Sequence, residues 1–143
     1  MRILVSACLL GVPCRYDGAS KRCSGIEALL QRHTCIPVCP EQLGGLSTPR
    51  PPAECRGEGV FTVDGADVTA AYQRGATAAL DLARLYGCEA AVLKECSPSC
   101  GRGVIHDGTF SGGLTAGDGV TAALLETEGI PVYGESRIGE LLH

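Results

Sequence analysis

Nine cysteines in 143 residues are the strongest chemical signal in the chain: Cys8, Cys14, Cys23, Cys35, Cys39, Cys55, Cys88, Cys96 and Cys100. Their number is odd. Within the opening MRILVSACLL, residues 3–10 read as a buried first strand rather than part of an export leader, because GVPCRYDG follows where a longer apolar core and a small-residue cleavage site would stand. A reducing, cytoplasmic setting is expected, in which thiols act as ligands, catalysts or small buried apolar groups. Cys8, Cys39 and Cys100 each follow a segment that reads as a strand, with Cys14 and Cys96 as competitors. Thiolates favour zinc, copper(I) and iron–sulfur clusters. The paired C-x-x-C knuckles of a structural zinc site are missing. Cys35 and Cys39 fall within one strand, on the same face but about 13 Å apart, and should not share a metal. Cys35 and Cys88 read as simple buried residues.

Three further groupings carry chemistry. In Ser97-Pro98-Ser99-Cys100-Gly101, Pro98 stiffens the loop and Gly101 permits a turn, so a hydroxyl, a thiol and backbone N–H groups are presented together. Cys39-Pro40-Glu41 sets a carboxylate two residues beyond a candidate ligand, where it can act as a general base or acid. Further on, Arg50 either holds an anionic substrate edge or pairs with a carboxylate. In Cys14-Arg15-Tyr16-Asp17-Gly18, Asp17-Gly18 signals a turn, and Arg15 or Tyr16 can clamp or stack on a planar ring. No phosphate loop and no G-x-G-x-x-G is present, and His33, His106 and His143 stand apart with no H-E-x-x-H helix. Nucleotide hydrolysis, dinucleotide binding and zinc-hydrolase chemistry are thereby disfavoured.

The elements that must hold these groups follow from periodicity. Short apolar runs at 3–7, 35–39, 90–94 and 130–133 read as strands, and 60–63 as a small hairpin arm ahead of Asp64-Gly65. Helical spacing appears over 24–32, over 67–86 with the stripe Val68, Tyr72, Gly75, Ala79, Leu82 and Tyr86, and over 119–128, with a last turn at 137–142. Asp67 can cap the long helix and Gly87 can end it. Alternating strands and helices imply a single Rossmann-like α/β domain over 1–143, with a mostly parallel sheet, flanking helices and long Gly/Pro-rich loops. In such a sheet ligands bind beyond the carboxyl ends of the strands, where the cysteines fall. A net charge of −4 argues against nucleic acid as a partner, and no run is long enough to cross a membrane. A small molecule is the expected partner; oligomeric state is open.

Taken in order, Ser6-Ala7-Cys8-Leu9-Leu10-Gly11, Cys14 to Gly18, Val38-Cys39-Pro40-Glu41, Gly44-Gly45-Leu46, Pro49-Arg50, Gly65 to Thr69, Leu93-Lys94, Ser97 to Gly101 and Gly117 to Ala122 give the chain its family likeness. It resembles the thiouracil desulfidase family along nearly its whole length. The resemblance implies a [4Fe–4S] cluster held by three cysteines, carried onto Cys8, Cys39 and Cys100, with Cys14 as the alternative ligand. It implies hydrolytic, non-redox removal of sulfur from a 2-thiouracil-like heterocycle, with release of hydrogen sulfide. Glu41 would accept the proton of the attacking water and Ser97 would position or relay protons, with Arg15, Tyr16, Asp17, Arg50 and Ser99 around the substrate. The alternatives are a non-catalytic iron–sulfur or zinc module, and a metal-free thiol enzyme, for which no C-x-x-C pair exists.

Overall fold

The computed structural model describes residues 1–142; His143 lies outside the described residues. Four parallel strands, β1 (Arg2–Ser6), β2 (Thr34–Val38), β5 (Ala90–Leu93) and β8 (Val132–Gly134), form the central sheet in the order β2-β1-β5-β8. The inner strands β1 and β5 are almost wholly buried, as apolar runs covered on both faces should be. Pro37, which has no N–H to give, sits in the edge strand β2.

Side-chain alternation sends the two faces of the sheet into two cores. Leu4, Ala91 and Leu93 pack with Ala79, Leu80, Ala83, Ala122 and Leu125 of the helices α3 (Thr69–Leu85) and α4 (Val120–Thr127). Ile3, Val5 and Val92 pack with Ile26 and Leu29 of α1 (Ile26–Arg32) and with Ile138 and Leu141 of a terminal 3-10 helix, Glu135–Leu141. The result is the expected α/β architecture, a parallel sheet between helical layers.

Several local expectations shift. Gly87, at φ +64°, ends the long helix as read, and the Asp67 carboxylate accepts the Thr69 N–H at its start. The buried stripe of α3 nevertheless runs through Ala71, Tyr72, Gly75, Ala76, Ala79, Leu80 and Ala83, while Tyr86 lies beyond the helix and is exposed. Small side chains win because α3 is pressed against α2 (Pro40–Leu43): a Cβ on Gly75 would overlap the Pro40 carbonyl oxygen, and one on Gly44 that of Ala71. The strand placed at 35–39 stops at Val38, which frees Cys39 to begin α2. The arm at 60–63 is β4 (Gly59–Thr62), but it pairs backwards with β3 (Ala53–Arg56), and Asp64-Gly65 closes a separate turn. A second antiparallel pair, β6 (Val104–His106) and β7 (Leu114–Ala116), has no counterpart in the sequence pattern, since three-residue strands carry too little alternation to read.

Candidate active site

Because the sheet is parallel, β1, β2, β5 and β8 all release their chains at one edge. The order reverses between β1 and β5, which opens a crevice there. A cavity of about 700 Å³ occupies this edge. Cys8 reaches it from a 3-10 turn, Ala7–Leu10, directly after β1; Cys39 from the junction of β2 and α2; Cys100 from the loop after β5. Cys14 and Cys96 line it as well. Three thiols remote in sequence thus meet at one place, as the strand-end argument requires.

The thiols also interact. Burial, then the neighbouring Cys39, pushes the Cys8 thiol up to about 11. Burial does the same to Cys100, up to about 12, against hydrogen bonds from Ser6 and Ser99 that favour its thiolate. Cys14 is raised by burial and by Cys39, with which its thiol shares a hydrogen bond. The Cys39 thiol also reaches the Cys14 carbonyl at 3.8 Å. So Cys14 and Cys39 are neighbours, and both line the cavity with Cys8 and Cys100. Among the described residues no three His, Cys, Asp or Glu side chains converge closely enough to cage a single metal ion. A single zinc would need thiolate sulfurs about 2.3 Å from one point. A cluster places each thiolate on a different iron, which suits soft sulfur ligands spaced in this way. The donor set therefore fits an iron–sulfur cluster better than a zinc.

Glu41 is held firmly beside these thiols. Its Oε1 accepts the Tyr72 hydroxyl at 2.6 Å and the Arg50 Nε–H at 3.3 Å, and its charge acts on Cys100. Arg50 is buried and committed: Nη1 donates to the Ser47 carbonyl and Thr48 Oγ1, and Nη2 to the Cys14 carbonyl. Of the two roles open to Arg50, the structure favours pairing with a carboxylate. Tyr72, its hydroxyl pushed up by burial and by Glu41, keeps its proton and donates it. It projects from the first turns of α3, a place where sequence reading sees only a core aromatic; the glycine contact between α2 and α3 lets it reach Glu41.

Ser97 lines the cavity, and its hydroxyl accepts the N–H groups of Ser99 and Cys100, both at 3.1 Å. Arg15 and Tyr16 also line it, the guanidinium 5.9 Å from the ring centroid. Two expected substrate contacts are placed elsewhere. Asp17 is exposed and off the cavity wall, its carboxylate taken by the Ala19 N–H in a tight turn. Ser99 is fully buried, and its hydroxyl serves Thr121 Oγ1 at 2.8 Å and the Cys100 thiol. Sequence reading missed Ser6, whose hydroxyl joins the Lys94 N–H to Cys100, and Lys94, which lines the cavity and pairs with Glu135 at 2.8 Å. It also set His106 apart, whereas the hairpin β6–β7 brings it to the cavity wall.

Residues 3–137 match the family model described as 2-thiouracil desulfurase. The chain belongs to the 2-thiouracil desulfurase family. It is 45% identical over 150 residues to a Bacillus subtilis (strain 168) protein described as uncharacterized protein YbbK, an alignment spanning 98% of this chain and 99% of that one. Among solved structures it is similar to one described as [4Fe-4S]-dependent thiouracil desulfidase TudS, with a TM-score of 0.90 and 51% identity over 98% of this chain and 94% of that one. The mostly parallel α/β fold agrees with that match. No helix among the described residues is long and apolar enough to cross a membrane.

Proposed function

We propose that this chain is a [4Fe–4S]-dependent desulfidase that exchanges the sulfur of a 2-thiouracil-like heterocycle for the oxygen of water and releases hydrogen sulfide. One thiocarbonyl and one water give one carbonyl and one hydrogen sulfide, so the exchange balances and no electron donor is needed. Cys8, Cys39 and Cys100 would hold the cluster, with Cys14 able to stand in for Cys39. When bound, the cluster supplies a Lewis-acidic iron with affinity for sulfur.

The chain's own residues supply positioning and proton transfer. Glu41 has Oε1 occupied by Tyr72 and Arg50, which leaves Oε2 to take a proton from the attacking water. Ser97 accepts two N–H groups through its oxygen, so its own O–H remains free to donate to a ring nitrogen. Arg15 and Tyr16 flank the ring at the mouth. Arg50 acts through Glu41 rather than on the substrate. The single observation that carries this reading is the convergence, in one cavity, of thiols from three strand ends with a carboxylate fixed by two donors. A module that only stored a cluster would have no use for that carboxylate.

Anaerobic reconstitution followed by iron, sulfide and uracil quantification tests the proposal. Alanine variants of Cys8, Cys39 and Cys100 should lose iron and turnover together, and the Cys14 variant reports whether that thiol is a ligand. Full activity in a colourless, iron-free preparation would falsify it.

A further inference from the structure

Among the described residues, one buried side-chain nitrogen or oxygen has no hydrogen-bond partner, and it is Nδ1 of His106. His106 ends β6 and lines the cavity that holds the cysteines. Its backbone is tied to the catalytic loop: Cys96 and Ile105 form a parallel bridge, and the His106 N–H donates to the Cys96 carbonyl at 3.4 Å. The far end of the hairpin is tied as well. Buried Glu54 accepts the N–H groups of Gly108 at 2.9 Å and Phe110 at 3.2 Å through one oxygen. The backbone that carries the imidazole is therefore fixed to the Cys96 loop on one side and to Glu54 on the other.

A neutral imidazole has one N–H and one bare nitrogen. A buried N–H without a partner is rarer in proteins than an unsatisfied acceptor. We therefore assign the bare nitrogen to the orphaned Nδ1 and the proton to Nε2. Nε2 makes no hydrogen bond and is not a buried orphan like Nδ1, so it is the ring nitrogen with open surface on a residue that lines the cavity. Phe110 and Leu114, from the same hairpin, line the cavity with hydrocarbon alone.

We propose that His106 is a specificity-determining residue whose imidazole N–H donates to the carbonyl oxygen of the thiolated pyrimidine, the oxygen remote from the sulfur under attack. This rests on the desulfidase reading above and adds to it a means of choosing the ring. A site that donates to a carbonyl discriminates against rings lacking one, because the donor is then left unpaired.

The test compares His106→Ala and His106→Gln with wild type, all anaerobically reconstituted, on 2-thiouracil and on pyrimidine-2-thione, which has no carbonyl oxygen. Equilibrium binding, KM, kcat and iron content are measured. For His106→Ala, Kd and KM for 2-thiouracil should rise about tenfold, the loss of one hydrogen bond, while those for pyrimidine-2-thione, kcat and iron content barely move. His106→Gln, which returns an N–H donor, should recover most of the affinity. Equal losses on both rings, or none on either, overturn the assignment. If wild type binds 2-thiouracil without converting it, the desulfidase reading fails while the binding comparison still decides the role of His106. If wild type does not bind it at all, both fall.

Discussion

Replacing Tyr72 by Phe removes one hydroxyl from a side chain that is 2% exposed and leaves the packing of α3 otherwise as it was. That hydroxyl gives Glu41 its shorter hydrogen bond, 2.6 Å against 3.3 Å from Arg50. A hydrogen bond to a charged group is worth about 1.5–3 kcal/mol. If it holds the carboxylate where the attacking water must lose its proton, its loss reduces kcat by about one to two orders of magnitude, at 1.36 kcal/mol per tenfold. Stability should suffer less. The Glu41 side chain is 18% exposed, so water can replace the lost donor. The expected cost is about 1 kcal/mol, a fall of a few degrees in Tm. Sulfide release from 2-thiouracil by anaerobically reconstituted protein, with iron content and thermal unfolding measured in parallel, separates the effects. We expect kcat to drop with KM and iron content held. If Tyr72→Phe turns over at the wild-type rate while Glu41→Gln is inactive, then Tyr72 does not position the carboxylate and the reasoning fails.

Two further outcomes follow from packing and from protonation. Gly75→Ala, which on a free helix surface would add about 1 kcal/mol of stability, should here destabilise by about 1–3 kcal/mol, because the new Cβ meets the Pro40 carbonyl and must push α2 off α3; a variant with raised Tm and unchanged kcat would show that the two helices are not in that contact. In the cluster-free chain, the thiols of Cys8, Cys14, Cys23, Cys35, Cys55, Cys88 and Cys100 are all raised, chiefly by burial. Below their ordinary value of 9.0 both folded and unfolded thiols keep their protons. Above it the unfolded chain releases protons that the folded chain retains, so stability is intact at neutral pH and is lost as pH climbs towards 11. Denaturant midpoints of cluster-free protein that stay level from pH 9 to pH 11 would contradict those shifts.

The strands and the long helix are legible in the sequence because their signal is local: continuous apolar runs for β1 and β5, and a helical pattern ended by Gly87. The thiols at strand ends are legible for the same reason, since a parallel sheet delivers every strand end to one edge whatever the detail of the loops. Contacts between segments distant along the chain are not. Nothing in the sequence says that Cys14 and Cys39, 25 residues apart, share a hydrogen bond. Nor does it say that the hydroxyl of Tyr72, 31 residues from Glu41, reaches out of the helical core stripe to hold its carboxylate. Asp17 and Ser99 carry the right chemistry in the right segments, but the paths of their turns send the first to solvent and the second into the core. His106 has no partner motif in the sequence, and a hairpin of three-residue strands carries it to the cavity. Residue type and short-range period determine which groups are available and at which edge of the sheet. Which of them touch is decided by the close approach of α2 to α3 and by the paths of the loops, where packing of distant segments, not local pattern, fixes each side chain.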